Sequence, residues 1–187
     1  LEVPLQHVNP LELEEALQGR VRGNFLSLSL EKVRESLEAL PWVRKAQVRR
    51  VWPDRLIVRL EEHQPVARWN DGGSEWVNSY GEVFAASLAD PGKLNLPLLK
   101  GPTGTAAQLL ARYGESVAKL EPRALQPVAV ELSPRLAMRV KLNNGMQLEL
   151  GREQSRFPAS QRLQRFVDIY PAAVAGREPR PATVDLR

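Results

Sequence analysis

The sequence predicts an α+β fold in two parts. An N-terminal β-α-α-β-β unit spans residues 1–68, and a mixed β domain with helices packed on an antiparallel-rich sheet spans 69–187. Three observations carry this. Two short helical patterns, each opened by a capping residue, precede two runs of alternating apolar and charged residues in the first third. Beyond residue 69, short alternating runs recur between turns rich in Gly, Pro and Asn, which is hairpin chemistry. Two longer patterns with helical spacing interrupt those runs.

In chain order, Val3 and Leu5 alternate as the end of a strand does. Asn9 caps the first helix, with Pro10 at its first position, Glu12 in its first turn, and Val8 and Leu13 at the spacing of a hydrophobic staple. The stretch Gly19–Gly23 ends it. Ser29 caps the second helix, whose apolar face is Leu30, Val33, Leu37 and Leu40, and Pro41 closes it. Ala46 and Val48, then Leu56, Val58 and Leu60, alternate with charged residues as two strands joined by a turn at Trp52-Pro53-Asp54-Arg55.

In the second part, Trp76 to Phe84 reads as a hairpin in which Gly81 supplies a positive φ. A helix follows over about 105–120, then strands over about 126–133 and 135–142. At Asn143-Asn144-Gly145, a three-residue loop pairs Leu142 with Met146, Val140 with Leu148 and Met138 with Leu150. All apolar residues then share one face, and Arg139 opposes Glu149; a two-residue loop would mix the faces. A helix over about 158–170 buries Leu163, Phe166, Val167 and Tyr170, and Pro171 stops it. After a linker over 171–181, residues 182–187 form a last strand.

Composition narrows the chemistry. The 187 residues hold 26 basic and 22 acidic side chains, two His and no Cys. Absence of Cys removes disulfides, thiol catalysis and Cys-based metal sites. His7 and His63 lie far apart in sequence, and neither sits in a nucleophile motif, so neither is expected to act in catalysis. The longest run without a charge, Gly101–Ala111, is too short to cross a bilayer. Gly101-Pro102-Thr103-Gly104 lacks the Lys-Ser/Thr ending of a phosphate loop and reads as a turn. Arg44, Lys45, Arg49, Arg50, Arg55 and Arg59, with Asp54 the one acid among them, cluster on alternating strand positions, which reads as a solvated sheet face rather than a nucleic-acid site. No enzyme, cofactor or metal is expected.

Several segments carry a family resemblance. Leu40-Pro41-Trp42-Val43, Trp52-Pro53-Asp54-Arg55 and Glu61-Glu62-His63-Gln64-Pro65 resemble the POTRA domain of the bacterial FtsQ/DivIB cell-division family. Asn78-Ser79-Tyr80-Gly81, Leu96-Pro97-Leu98-Leu99-Lys100-Gly101-Pro102, Phe166–Pro171 and Val184-Asp185-Leu186-Arg187 resemble segments of that family's β domain. The resemblance implies a non-enzymatic division scaffold in the periplasm. It would be held in the inner membrane by a single helix ahead of residue 1, enriched at the septum, and its last strand would continue past Arg187.

The resemblance also implies partners and contact residues. FtsB, paired with FtsL, would add a strand to the last edge of the β domain. Arg135, opening the strand before the Asn-Asn hairpin, and Arg187 would meet acidic residues of FtsB. Ile169, Tyr170, Thr183, Val184 and Leu186 would border the site. Val48, Arg50 and Glu62 would form a second surface, used for recruitment to the division site. Strand addition also suits a POTRA-bearing module of a transport or outer-membrane assembly system, so that reading stands beside the first. Repeated POTRA units or a following barrel would mark such a module, and the sequence has neither pattern.

Overall fold

The computed structural model describes residues 5–18, 28–87, 94–174 and 181–187. The chain divides into two compact units, the first made of 1–64 with Phe84–Ala86 and the second of 65–83 with 87–187.

In the first unit, α1 (Pro10–Leu17) and α2 (Leu30–Glu38) precede the antiparallel pair β1 (Val43–Val51) and β2 (Arg55–Glu62). The caps form as the sequence predicts. Asn9 Oδ1 accepts the Leu11 N–H at 3.0 Å, and Ser29 Oγ accepts the Lys32 N–H at 3.3 Å. Val33 and Leu37 of α2 are fully buried, as is Ala46 of β1. A carboxylate oxygen of Glu38 accepts the Ala46 N–H at 3.0 Å. Trp42 is buried where helix gives way to strand. Both histidines serve this packing: His7 stacks on Trp42 at 4.1 Å, and His63 stacks on Phe84 at 4.2 Å. The expected first strand at Val3 falls mainly on residues 1–4, outside the described residues, and Leu5 is not in a strand. The stretch Gly19–Gly23 also lies outside them.

The larger sheet is mixed, with the order β10-β9-β8-β7-β6-β3-β4-β5. Its strands are β3 (Pro65–Trp69), β4 (Glu75–Asn78), β5 (Val83–Ala85), β6 (Leu98–Lys100), β7 (Pro127–Leu132), β8 (Ala137–Leu142), β9 (Gln147–Arg152) and β10 (Thr183–Asp185). Strands β7, β8 and β9 form an antiparallel meander, whereas β6 runs parallel to both β3 and β7. Two helices, α3 (Ala106–Leu120) and α4 (Ala159–Ala173), bury Leu109, Leu120, Leu163 and Phe166 in one core with Val130, Val140, Leu148 and Leu150. The fold is therefore α+β, as the patterns predict.

Three local expectations are corrected. The strand expected from residue 135 opens instead at Ala137. The Ser133 N–H donates to the Ala137 carbonyl, Ser133 Oγ accepts the Ala137 N–H, and the Leu136 N–H donates to the Ser133 carbonyl, which closes a turn through Arg135. Next, the three-residue hairpin loop forms, with Val140 opposite Leu148 and Arg139 opposite Glu149. Met138, however, pairs with Gly151 and not Leu150, because a bulge intervenes and Gly151 takes φ +70°. Lastly, Pro171 does not stop α4, which continues to Ala173. The Val167 carbonyl, which a proline four residues later cannot serve, accepts from Arg123 Nε at 3.0 Å instead.

Candidate strand-addition edge

Strand β10 lies at the edge of the sheet and pairs with β9 in parallel register, Val184 opposite Leu148. The ladder engages the carbonyl of Ala182, which accepts the Gln147 N–H at 2.9 Å, and the N–H of Leu186, which donates to Glu149 at 3.0 Å. Alternation along a strand then turns the N–H and C=O groups of Thr183 and Asp185 away from β9. Side chains alternate as well: Val184 and Leu186 pack on the core, while Thr183, Asp185 and Arg187 are exposed. Thus Val184 and Leu186 hold the strand in place, and the residues between them present it.

Arg187 does not project alone. Its Nε lies 2.9 Å and 3.1 Å from the two carboxylate oxygens of Asp185, its Nη2 lies 2.6 Å from one of them, and its backbone N–H donates to Asp185 Oδ1 at 3.0 Å. These bonds hold the Asp185 carboxyl at about 2, well below the usual carboxylate range, and raise the Arg187 guanidinium.

The stem of Arg187 rests on the bulge in β9. A Cβ at Gly151 would stand 2.8 Å from Arg187 Cγ and 3.1 Å from Arg162 Nη1. Arg162, buried on α4, holds the bulge in shape. Its Nη1 donates to the Leu150 carbonyl, its Nη2 to that of Arg152, and its Nε to Phe157 at 3.0 Å. A buried guanidinium whose bonds all end on backbone carbonyls fixes that backbone firmly.

Arg135 sits in the β7–β8 turn rather than on a strand, and it is exposed. Because Ala137 pairs with Arg152, Arg135 lies at the same end of the sheet as Arg187, two strands away. Ile169 exposes 42% of its surface, whereas Tyr170 is half-buried with its ring 5.5 Å from Phe166.

The second expected surface consists of residues with internal duties. Val48 pairs with Val58 in the hairpin, and Arg50 Nη2 donates to the Leu28 carbonyl at 2.8 Å. The Glu62 carboxylate accepts the N–H groups of Gln6, His7 and Val8 at 2.9–3.1 Å, tying the entry of α1 to the end of β2.

Sequence reasoning missed Asp185, Gly151 and Arg162. Two of them left a signal. A glycine inside the alternating run Gln147–Arg152 marks a bulge. An arginine four residues before Phe166, on the buried stripe of a helix, marks a polar side chain with internal acceptors.

Comparison with known proteins adds the following. Residues 67–187 match the family model described as "Cell division protein FtsQ/DivIB, C-terminal", and residues 3–63 match "POTRA domain, FtsQ-type". A protein of Burkholderia pseudomallei named "Cell division protein FtsQ" is 41% identical over 89% of this chain and 66% of its own length. Proteins of the same name from Bordetella pertussis and Nitrosospira multiformis are 38% and 40% identical over 100% and 98% of this chain, and 72% and 73% of their own lengths. The chain therefore spans about two thirds to three quarters of the length of these relatives.

Proposed function

The chain belongs to the FtsQ/DivIB family of cell-division proteins, and from that premise we propose that it is the periplasmic part of a membrane-anchored division scaffold that takes up a partner strand on β10. Its partner is FtsB, in complex with FtsL, and through them it links early and late division proteins. It works by holding partners and not by turnover. Membership in the division family leaves the transport-module reading without support.

The observation that carries this reading is the edge itself. Thr183 and Asp185 offer outward N–H and C=O groups on the last strand of a core-anchored sheet, flanked at one end by Arg187 and Arg135. A partner strand completes the ladder, and acidic residues on it meet the arginines and set its register. The POTRA unit serves recruitment separately, and the two units fold independently, with a boundary near residue 68 and with Phe84–Ala86 completing the first unit.

Titration calorimetry of the chain, extended past Arg187, with the periplasmic segment of FtsB tests the proposal. Thr183→Pro removes an outward N–H without touching the β9 ladder, and it should weaken binding strongly. Arg135→Glu and Arg187→Glu should each weaken it roughly 30-fold or more, the scale for breaking a partly desolvated charge pair. Lys45→Glu in the first unit should change it little. Parent-like affinity in all three edge variants would place the partner elsewhere.

A further inference from the structure

The β1–β2 hairpin has two unlike faces. Ala46 pairs with Leu60 and Val48 with Val58 on the face that carries the helices, where Ala46 is buried with Val33 and Leu37 of α2. Alternation puts Lys45, Arg49, Arg55 and Arg59 on the other face, and all four are exposed. Val51 and Ile57 lie among them, half-buried. Glu61, opposite Lys45 in register, is engaged by Arg44, whose Nη1 donates to it at 2.9 Å. Among the described residues, Lys45, Arg49 and Arg55 have no acidic side chain within ion-pair distance. With Asp54 in the turn as the other acid, the face carries positive charge in excess.

A second observation concerns Trp52, which follows Val51 at the tip of the same hairpin. It exposes 69% of its surface, more than any other large hydrophobic side chain among the described residues. Trp42, Trp69 and Trp76, by contrast, are buried. An indole has an apolar ring and a polar N–H, so it settles where headgroups meet acyl chains. The sequence thus sets its one exposed tryptophan beside its unpaired cations.

We propose that this face is a membrane-contact surface, which lays Lys45, Arg49, Arg55 and Arg59 on the headgroups of anionic phospholipids and sets the Trp52 ring among them. From Arg55, opposite Val51, to Lys45 the cations spread over about 20 Å of a two-stranded ladder, at the rise of a β-strand. A spread of that width suits a plane of many small anions. An acidic peptide segment would follow one line of the charge and leave the indole in water, whereas a lipid surface engages cations and ring together. Clusters of this size beside a bilayer are held by anionic lipid, each cation adding to the attraction. The hairpin then lies along the bilayer with α2 facing away from it. The proposal rests on the function given above only for the nearness of a membrane, which the experiment supplies itself.

The test mixes the full chain with vesicles of phosphatidylglycerol and phosphatidylcholine in equal parts, and with vesicles of phosphatidylcholine alone, and measures binding by co-sedimentation. At about 0.05 M salt the chain should bind the anionic vesicles and not the neutral ones, and about 0.5 M salt should release it. Arg49→Gln and Arg55→Gln should each weaken binding about fivefold, the worth of one cation near an anionic surface, with melting temperatures unchanged. Lys141→Gln, exposed on β8, makes the same change in net charge and should stay within twofold of the parent. Tryptophan emission should shift to the blue when the parent binds, and Trp52→Phe should abolish the shift, because the other three tryptophans are buried already. Equal binding to the two kinds of vesicle overturns the proposal, as does parent-like binding by Arg49→Gln, Arg55→Gln and Trp52→Phe alike. Binding of polyglutamate without binding of anionic vesicles also overturns it and makes the face a seat for an acidic polypeptide. Failure of FtsB to bind β10 would leave the vesicle result as it is, so the two readings fail separately.

Discussion

The carboxylate of Asp185 holds the guanidinium of Arg187 from two residues back on the same strand, with Nε at 2.9 Å and the backbone N–H of Arg187 at 3.0 Å. The exposed side of β10 thus carries a closed loop of charge that occupies the very groups a partner would seek. An exposed edge invites indiscriminate pairing, and a polar closure of this kind on it limits that hazard. A partner carboxylate must exchange with Asp185 to reach Arg187, so an acidic partner competes with an internal acid of the same kind.

That pairing has a titration signature. The Asp185 carboxyl falls from an ordinary 3.8 to about 2, chiefly through its hydrogen bonds from the Arg187 side chain and backbone. A depressed carboxylate contributes stability above its unfolded value and loses it as pH falls through the folded value, so the pairing is complete above about pH 4 and lost near pH 2. Carboxyl NMR of the parent should give a midpoint for Asp185 near 2. In Arg187→Ala the midpoint should return toward 3.8. A midpoint near 3.8 in the parent would remove the pairing from solution.

The first unit includes Phe84, whose ring lies 4.2 Å from His63 and meets Trp42 edge-on at 5.6 Å. Phe84 is 7% exposed, so a fragment ending at residue 68 lacks a buried ring of its own core. We expect a fragment of residues 1–68 to unfold at lower urea concentration than one of 1–87, by an amount near the 3 kcal/mol or more that loss of a buried aromatic ring costs. Equal stability of the two fragments would mean that Phe84 contributes nothing to the first unit.

Glu62 accepts three backbone N–H groups from Gln6, His7 and Val8. Glu62→Ala leaves those donors to water and should destabilise the first unit by about 2 kcal/mol, the scale of hydrogen bonds to a charged acceptor less what solvent returns. Amide exchange should accelerate at Gln6, His7 and Val8 first. If the variant fails in recruitment while those amides stay protected and stability is unchanged, Glu62 acts at the surface and not as a tie.

The elements legible in the sequence are those whose signal is local. Asn9 and Ser29 mark helix starts because a side-chain oxygen must serve amides within the same turn. The Asn143–Gly145 loop sets its register because Leu142, Val140, Met146 and Leu148 must share a face. What escaped was set by distant partners. Pro171 reads as a helix stop until Arg123, forty-eight residues earlier in sequence, serves the orphaned Val167 carbonyl. Leu98–Lys100 is a short central strand, with Leu99 fully buried, but three residues are too few for alternation to show. The candidate edge was located by resemblance, yet the Asp185–Arg187 pairing and the seat on Gly151 depend on side-chain geometry that no motif encodes.

Gly151 offers the sharpest separation of backbone strain from packing. Both Gly145 and Gly151 have positive φ, +85° and +70°. Added bulk meets nothing within 4 Å at Gly145, whereas at Gly151 it meets Arg187 Cγ at 2.8 Å and Arg162 Nη1 at 3.1 Å. Gly145→Ala therefore reports the cost of the left-handed backbone alone, about 1 kcal/mol. Gly151→Ala adds displacement of the Arg187 stem, which is cheap for a flexible side chain, and pressure on Arg162, which three carbonyls hold in place. The expected total is about 2–3 kcal/mol in urea unfolding. Because the methyl group occupies the place of the Arg187 stem, Gly151→Ala should also shift the Asp185 carboxyl titration upward, while Gly145→Ala leaves it unchanged. Equal destabilisation by the two variants, with Asp185 titrating near 2 in both, would show that Gly151 shapes the bulge but does not seat Arg187.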